Sequence, residues 1–350
     1  MVGIDAALFR FSPRLSTLVL LIILTQAISS QGSNLSLFEP IPKTGLAISG
    51  LTYGGTWTDL DQDGLPDLVL SRHDSTGPAL YKNQGNFQFL PLVPDAPLPG
   101  GLKDLHGISI CDADGDGDRD MYFCVGADKG QGLGEKQLWY RNDNTSFRNA
   151  ESLVSLPFED NVSALLADLN GDGFLDLAVS EQYRPMIALG DGKMNFTALS
   201  SVESGMKAAR SGACTIDAVD LNGDGQLELV ALNGRKKLKA RSGAVVLYRS
   251  TTAIPGLTLE LETITEPVHG LGARVSLQAG DFIQHRQVRS IGNPWSSRVP
   301  PLHFGVGNAE GPFDVKIIWP SGHRQSVTIP SAGQAWVLRE GAKHVNARLH

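Results

Sequence analysis

The chain has 350 residues, of which 41% are hydrophobic, and a formal net charge of −7 at pH 7. This length predicts about two domains with a sizeable core, and the acidic balance disfavours a nucleic-acid partner. Three cysteines are too few for a disulfide-stapled scaffold.

Residues 1–30 have the layout of a secretory leader. Arg10 and Arg14 precede the apolar stretch LVLLIILTQAI, and small residues follow it. A retained anchor is the alternative, but the strongest apolar run is shorter than the ~20 residues that a membrane span needs. We therefore expect cleavage near Ala27 or Ser29, and a secreted or extracellular protein (periplasmic or cell-surface if bacterial) without a membrane span once the leader is removed.

An acidic motif begins at Asp59, in the stretch DLDQDGLPDLVL, and returns three times at starts 53, 56 and 52 residues apart. Acidic or amide side chains occupy positions 1, 3, 5 and 9, and glycine occupies position 6. Crowded carboxylates repel one another, whereas Ca²⁺ takes roughly six to eight oxygen ligands from such a loop, including the carbonyl at position 7. The alternative for one loop is a solvated acidic turn, which the repetition argues against.

The motif therefore predicts about four Ca²⁺ ions per chain. The predicted ligands are Asp59, Asp61, Asp63, Leu65, Asp67, Asp112, Asp114, Asp116, Asp118, Asp120, Asp168, Asn170, Asp172, Phe174, Asp176, Asp220, Asn222, Asp224, Gln226 and Glu228. Removal of residues 1–30 would leave a charge of −8, which four Ca²⁺ ions would neutralise.

The segments around the motif predict β-strands and exclude an EF-hand. An EF-hand needs a bidentate glutamate at position 12 and flanking helices, but position 12 is Leu70, Phe123, Val179 and Ala231. The apolar runs LVLS, MYFCV, LAVS and LVAL that follow position 9 indicate buried strands. A second strand-and-turn phrase follows the first three motifs, so each repeat offers about four short strands, as in one propeller blade. The predicted fold is an all-β, calcium-loop β-propeller of about four blades.

Several other features have two interpretations each. The basic stretch RKKLKAR, Arg235–Arg241, is a candidate contact for a polyanion or a solvated loop. The two HRQ triplets, residues 285–287 and 323–325, lack metal-ligand spacing and are predicted to lie at the surface. Cys111 and Cys124 flank the second motif on predicted hairpin partners. A bridge between them is one alternative, and buried free thiols, which the predicted register favours, are the other.

Four sequons would be glycan acceptors if the source is a eukaryote. They lie at Asn34, Asn144, Asn161 and Asn195.

The motifs carry a family resemblance. The Asp-rich loops, their period and the N-x-G-x-F turns resemble the FG-GAP or VCBS repeats of integrin α-chain propellers. Four tail phrases resemble, in order, the ASPIC/UnbV domain: GLGARVSLQAG (270–280), PPLHFGVGNAE (300–310), IIWPSGHRQSVTI (317–329) and AGQAWVLREG (332–341). The combination is similar to the cartilage acidic protein 1 family. It implies a repeat propeller over residues 35–250 and a small ASPIC/UnbV-like β domain over 255–341, although NPWSSR (293–298) departs from the phrase usual in this domain.

The repeat count raises the question of how the propeller closes. Integrin propellers have seven blades, whereas residues 35–250 hold only four repeats. We expect the segment LSLFEPI, Leu35–Ile41, to complete the fourth blade and close the ring. The alternative is an open arc that the C-terminal domain caps.

No catalytic motif accompanies the acidic loops. The sequence contains no H-E-x-x-H, no G-x-S-x-G and no phosphate loop. The leading hypothesis is a secreted calcium-binding interaction or adhesion module with no chemistry of its own, whose partner is an extracellular protein or glycan. The alternative is a carbohydrate-active enzyme, a lyase or glycosidase, built on a propeller. Carboxylates that bind a cation have lowered pKa values and are unsuited to proton transfer.

Overall fold

The computed structural model describes residues 40–46, 51–73, 77–92, 104–126, 137–150, 156, 161–181, 184–206, 213–233, 245–252, 254–264, 270–289, 291–293 and 296–348. Within these ranges the regular structure consists of β-strands, without an α-helix, as the sequence predicts. The chain divides into two compact units, Met1–Pro42 and Lys43–His350. The predicted leader lies outside the described residues, and all the strands belong to the second unit.

The four repeats form four antiparallel sheets, each a meander of consecutive strands. Sheet 1 consists of β1 (Leu51–Thr58), β2 (Asp67–His73), β3 (Ala79–Asn83) and β4 (Phe89–Leu92). Sheet 2 consists of β5 (Leu105–Cys111), β6 (Asp120–Val125), β7 (Leu138–Asp143) and β8 (Ser146–Asn149). Sheet 3 consists of β9 (Asn161–Ala167), β10 (Asp176–Glu181), β11 (Arg184–Gly190) and β12 (Phe196–Ala198). Sheet 4 has three strands in the described part of the chain, β13 (Ala213–Val219), β14 (Glu228–Asn233) and β15 (Val245–Tyr248).

The apolar run after each acidic motif forms the second strand of its sheet, as predicted. This strand pairs with the first and third strands and lies in the interior of the sheet. All six residues of β6 are buried. Burial on both faces explains why these runs are continuously apolar instead of alternating with polar residues.

Successive sheets pack against one another through their inner strands. β1 and β2 contact β5, β5 and β6 contact β9, and β9 and β10 contact β13. Apolar layers fill the spaces between the sheets. For example, Val69 and Phe123 share one cluster, and Trp139 and Leu177 share the next. The arrangement is propeller-like, but no closed propeller is detected in the described residues. Residues 35–39 lie outside them, so closure stays a prediction.

The C-terminal region forms two further four-stranded sheets. The first has the order β21 (Leu302–Gly305), β16 (Gly256–Glu262), β24 (Gln334–Arg339), β25 (Asn346–Ala347), with β16 and β24 parallel. The second has the order β18 (Phe282–Gln287), β17 (Arg274–Ala279), β22 (Phe313–Ile318), β23 (Arg324–Ile329), and is antiparallel. A hairpin of β19 (Ile291–Asn293) and β20 (Ser296–Arg298) contacts β1 and β5 through β19. One core, which includes Phe304, Trp319 and Trp336, fills the space between the two sheets.

Candidate metal-binding loops

The four acidic loops occupy equivalent places in the four sheets. Each loop connects the first strand to the second, over residues 59–66, 112–119, 168–175 and 220–227. The residue at position 9 is the first residue of the second strand in all four sheets. The twenty predicted ligand residues therefore form four groups of five, each consisting of four loop residues and the first residue of the strand that follows.

The acidic residue at position 9 is buried and fastens the loop to two backbone segments. Asp67 Oδ2 accepts a hydrogen bond from Leu60 N at 2.8 Å, and its Oδ1 accepts one from Asn83 N at 2.8 Å. The bond to the backbone of position 2 recurs at Asp120, Asp176 and Glu228. The bond to the third strand recurs at Asp120 and Asp176. These carboxylates hold each loop in place as well as offering oxygens to its interior.

The aspartate at position 1 and the glycine at position 6 close the loop. Asp59 Oδ2 accepts a hydrogen bond from Gly64 N at 3.1 Å, and Asp168 Oδ2 accepts one from Gly173 N at 2.7 Å. The second and fourth loops have the same bond. Gly64 and Gly173 have φ angles of 92° and 100°. Side chains rarely tolerate this left-handed conformation, which explains the recurring glycine.

The side chains at positions 3 and 5 fold back onto the backbone as Asx-turns. Asp61 Oδ1 accepts a hydrogen bond from Asp63 N at 3.3 Å, and Asp63 Oδ1 accepts one from Leu65 N at 2.9 Å. The other three loops repeat both bonds. The loops therefore share one hydrogen-bond pattern, as expected of a repeated motif with one function.

The first two loops contain acidic groups that can hold a metal ion. The groups are Asp59, Asp61 and Asp67, and Asp112, Asp114 and Asp120, and in each group one oxygen per residue lies within 4.8 Å of the others. The third and fourth loops have an asparagine at position 3, Asn170 and Asn222. An amide oxygen is also a Ca²⁺ ligand, so the donor set is oxygen in all four loops.

Buried oxygens without hydrogen-bond partners test whether a cation fits. Asp59 Oδ1 and Glu228 Oε1 are buried and accept no hydrogen bond. Asp114 Oδ2 is also buried without a hydrogen bond, although Arg141 Nη2 lies 3.1 Å from it. Burying a charged oxygen without a partner is costly. A bound cation would supply the missing interaction, so these residues fit a metal ion.

Burial also shifts the ionisation of the loop carboxyls. Burial raises the pKa of Asp67 to about 6, of Asp120 to about 8 and of Asp176 to about 7, although backbone hydrogen bonds oppose the shift. Burial raises the pKa of Asp168 to about 6. In the absence of a cation, burial therefore makes these acids retain their protons to a higher pH than a free aspartate does.

Basic side chains from neighbouring strands reach the first two loops. Lys82 Nζ contacts Asp61 and lies 3.1 Å from Asp63 Oδ2. Arg141 Nη2 lies 3.1 Å from Asp114 Oδ2, as above, and 3.5 Å from Asp116 Oδ2. Lys82 and Arg141 occupy equivalent places, because each precedes the residue whose backbone N–H bonds to position 9. Each offsets one of the negative charges of its loop.

The C-terminal sheets cover the acidic loops, a contact that sequence reasoning missed. At the fourth loop, Gly256 N donates a hydrogen bond to Gly225 O at 2.6 Å, and His303 Nε2 lies 3.0 Å from the same oxygen. At the third loop, the Phe282 ring lies 5.9 Å from the Phe174 ring.

The first two loops meet the same domain. Arg274 Nη1 lies 3.6 Å from Asp59 Oδ2, and the His285 ring lies next to Gly117. Thr58 Oγ1 donates a hydrogen bond to Gln287 Oε1 at 3.2 Å. The prediction that residues 285–287 lie at the surface is therefore wrong, because the strand that carries them packs on the loops. His323 is exposed, as predicted.

Three arginines accumulate near the centre of this contact. Arg119, Arg286 and Arg289 line a small cavity of about 60 Å³. Burial lowers the pKa of Arg119 and Arg286, and the charge of Asp112 opposes the shift for both. Three arginines lie within residues 274–289. This positive charge was the sequence signal that could have indicated a segment that packs on the acidic loops.

The cysteines and sequons have a mixed outcome. Cys111 and Cys124 are buried free thiols, as the favoured alternative predicts. In the register of β5 and β6, Cys111 lies opposite Asp120 and not opposite Cys124. The glycan prediction for Asn161 is wrong, because this residue is buried and its Nδ2 donates a hydrogen bond to Tyr122 Oη at 2.9 Å. The sequons at Asn144 and Asn195 are exposed. The sequon at Asn34 and the basic stretch 235–241 lie outside the described residues.

Two family models match the chain. An FG-GAP-like repeat matches residues 36–123 and 168–231, and the ASPIC and UnbV domain matches residues 265–345. Both agree with the resemblance seen in the motifs. Among curated proteins, none matches this chain, so the closer likeness to the cartilage acidic protein 1 family stays a prediction. Among the described residues, no helix is long and apolar enough to cross a membrane.

Three solved structures match this chain with low TM-scores. A lectin from Agrocybe aegerita that recognises non-reducing terminal N-acetylglucosamine has 16% identity and a TM-score of 0.26, over 57% of this chain and 66% of its own. This chain thus spans slightly less than two thirds of the lectin. A thermostable family-43 glycoside hydrolase has 9% identity and a TM-score of 0.32, over 88% and 96%. A Bombyx mori family-32 β-fructofuranosidase in complex with sucrose has 12% identity and a TM-score of 0.29, over 84% and 76%. At these TM-scores the three structures support no argument about this chain.

Proposed function

We propose that this protein, which carries FG-GAP-like repeats followed by an ASPIC and UnbV domain, is a secreted calcium-binding interaction module with no chemistry of its own. FG-GAP-like repeats are typical of extracellular proteins. The observation that carries the proposal is the fourfold hydrogen-bond pattern, which gathers oxygen ligands in each loop. In the first and fourth loops it also leaves a buried carboxylate oxygen, Asp59 Oδ1 or Glu228 Oε1, without a hydrogen bond.

Calcium is the ion that suits these loops best. Ca²⁺ binds carboxylate, amide and backbone carbonyl oxygens in flexible geometry, whereas Mg²⁺ demands a near-ideal octahedron and retains water. Side chains at positions 1, 3, 5 and 9 would hold the ion together with the carbonyl at position 7. That carbonyl belongs to Leu65, Asp118, Phe174 or Gln226, residues with no chemistry in common. The variation is expected if only the backbone of this position takes part.

The ions would stabilise the contact with the C-terminal domain as well as the loops themselves. Each loop touches that domain through its own backbone or through a ligand side chain. Thr258 Oγ1 donates a hydrogen bond to Asp220 Oδ2 at 3.4 Å, and Gly307 N donates one to Gly171 O at 2.8 Å. A loop that relaxes when its carboxylates repel would lose these contacts. Calcium would thus control how firmly the C-terminal domain is held.

The same geometry disfavours an enzyme that uses the loop carboxylates. A glycosidase needs two carboxyl groups that are free to exchange protons with the substrate. Asp67, Asp120 and Asp176 instead use both of their oxygens to accept backbone hydrogen bonds. We therefore assign these residues to structure and metal binding.

An exposed tryptophan next to a half-buried phenylalanine offers one surface for a partner. Trp57 is 46% exposed, and its ring lies 5.9 Å from that of Phe89 on sheet 1. Tryptophan is enriched at interfaces because it combines a large apolar face with a polar N–H group. We propose that an extracellular protein or glycan binds with the help of this face.

A binding screen tests the function. The purified chain is presented to arrays of extracellular glycans and proteins in Ca²⁺, and again after chelation, while each glycan pool is assayed for cleavage. We expect calcium-dependent binding without turnover, and weaker binding by Trp57→Ala than by the control Phe87→Ala, which alters an exposed aromatic residue at the turn of the same sheet. Turnover of a glycan, or binding that is equal with and without Ca²⁺, would refute the proposal.

A further inference from the structure

A second cluster of candidate ligands lies at the end of sheets 1 and 2 that is remote from the acidic loops. β2 starts at Asp67 next to the first loop and ends at His73. β5 ends at Cys111 next to the second loop, and Asp104 and His106 lie at its other end. The length of one strand therefore separates this cluster from the acidic loops.

The three side chains point at one spot. His73 Nδ1 contacts Asp104 Oδ1, and His106 Nε2 lies 2.9 Å from the same oxygen. One ligand atom of each residue lies within 4.8 Å of the other two. The two imidazole rings have centroids 6.2 Å apart and planes inclined by 53°, so they approach the carboxylate from different directions.

The local backbone explains how the cluster forms. Residues 104 and 106 are two apart on an extended segment, which places their side chains on one face. The register of β5 against β6 shifts between Leu105 and Ile108, and such an irregularity re-aims a side chain. The exposed fractions of the side chains are 8% for His73, 13% for Asp104 and 22% for His106. The group is thus largely withdrawn from solvent.

A glycine leaves room around these ligand atoms. A Cβ atom at Gly126 would lie 3.0 Å from both Asp104 Oδ2 and His106 Nε2. Gly126 N also donates a hydrogen bond to Asp104 O at 2.7 Å, and this bond holds the backbone of Gly126 close to that of Asp104. A side chain at position 126 would occupy the space next to the cluster.

Two imidazole nitrogens and one carboxylate oxygen form a donor set different from that of the acidic loops. Ca²⁺ prefers oxygen ligands only, whereas Zn²⁺ and similar transition metals bind histidine nitrogen at about 2.0–2.1 Å and carboxylate oxygen at about 2.0–2.2 Å. We propose that His73, Asp104 and His106 bind one divalent transition-metal ion of the Zn²⁺ class, which joins sheet 1 to sheet 2 at the end remote from the acidic loops.

The first test uses the full chain without any substitution. The protein is saturated with Ca²⁺ to fill the acidic loops, then exposed to Zn²⁺ or Co²⁺ and dialysed. We expect about one Zn²⁺ per chain, X-ray absorption at the zinc edge that shows two imidazole ligands, and visible ligand-field bands for Co²⁺. Failure to retain Zn²⁺, or a zinc spectrum with oxygen ligands only, would overturn the proposal and show that the three residues form a hydrogen-bonded group without metal.

The second test uses variants with matched controls. His106→Ala removes a ligand and Gly126→Ala fills the adjacent space, so each is expected to weaken Zn²⁺ binding at least tenfold. His323→Ala removes an exposed histidine and should leave Zn²⁺ binding unchanged. Asp172→Ala should reduce Ca²⁺ binding without affecting Zn²⁺. Zn²⁺ affinity that is unchanged in both His106→Ala and Gly126→Ala would contradict the assignment. If these variants fail to fold, the zinc-edge spectrum of the unsubstituted protein decides the question.

Discussion

Removing calcium is expected to make the stability of this protein depend on pH in an unusual direction. Burial raises the pKa of Asp176 from 3.8 to about 7. The folded state then binds more protons than the unfolded state between these two pH values, so the free energy of unfolding falls as pH rises through this window. The paired carboxylates of most proteins have lowered pKa values and give the opposite trend.

The size of the effect follows from the shift. A raise of about three pKa units corresponds to roughly 4 kcal/mol when the group is fully ionised. At pH 5 the carboxyl is already ionised in the unfolded state, so part of this ~4 kcal/mol has been lost before the pH range of the experiment begins. The change between pH 5 and pH 8 is therefore about 2–3 kcal/mol for Asp176. Asp67 and Asp120, whose raised pKa values have the same cause, act in the same direction.

Urea unfolding at pH 5, 6, 7 and 8 in calcium-depleted buffer measures this effect. Histidines complicate the comparison, because burial lowers the pKa of His285 and His303, which makes stability rise with pH. The control is Asp176→Asn, which retains the histidines but cannot titrate. We expect the difference in unfolding free energy, wild type minus variant, to fall by about 2–3 kcal/mol from pH 5 to pH 8 without calcium. A difference that is flat or rises with pH would refute the reasoning.

Three further predictions concern the loops and the thiols. Asp172→Ala should lower the number of bound Ca²⁺ ions by one, because each ion is held within its own loop; equilibrium dialysis would expose a wider loss. Gly173→Ala should destabilise the protein by roughly 1–3 kcal/mol more than Gly64→Ala. Both glycines have positive φ angles, but a Cβ at Gly173 would lie 2.5 Å from the Phe282 ring, whereas nothing lies within 4 Å at Gly64. Equal urea midpoints for the two variants would contradict the docking contact. Burial raises the pKa of Cys111 to about 12 and also raises that of Cys124. Both thiols should therefore resist a thiol reagent at pH 8 until the protein unfolds, and rapid labelling of the native protein would show that they are exposed.

Local patterns in the sequence are sufficient to predict the loops and the strands that follow them. The spacing of Asp59, Asp61, Asp63 and Asp67 encodes a nine-residue turn. The backbone N–H groups that bond to these four carboxylates belong to the turn itself or to the adjacent strand β3. Gly64 is predictable for the same reason, because its positive φ angle is a requirement of the loop itself. Features of this kind depend on residues close in the chain, so the sequence contains their signal.

Contacts between distant segments are the features that the sequence did not reveal. The HRQ triplet at 285–287 looks like an ordinary polar segment, and only the docking of β18 on the loops gives it a partner, Thr58, that is 229 residues away from Gln287. Asn161 matches a sequon, but its burial depends on Tyr122 in the preceding repeat. The convergence of His73 with Asp104 likewise requires two sheets to pack together.

The number of calcium ions bound per chain tests the central claim most directly. The full chain is depleted of metal, and Ca²⁺ binding is measured by equilibrium dialysis, with native mass spectrometry as the readout of stoichiometry. Four loops with the same hydrogen-bond pattern predict about four Ca²⁺ ions per chain. A stoichiometry of one or none would contradict the account, because it would mean that the hydrogen-bond pattern shared by the four loops does not make them calcium sites.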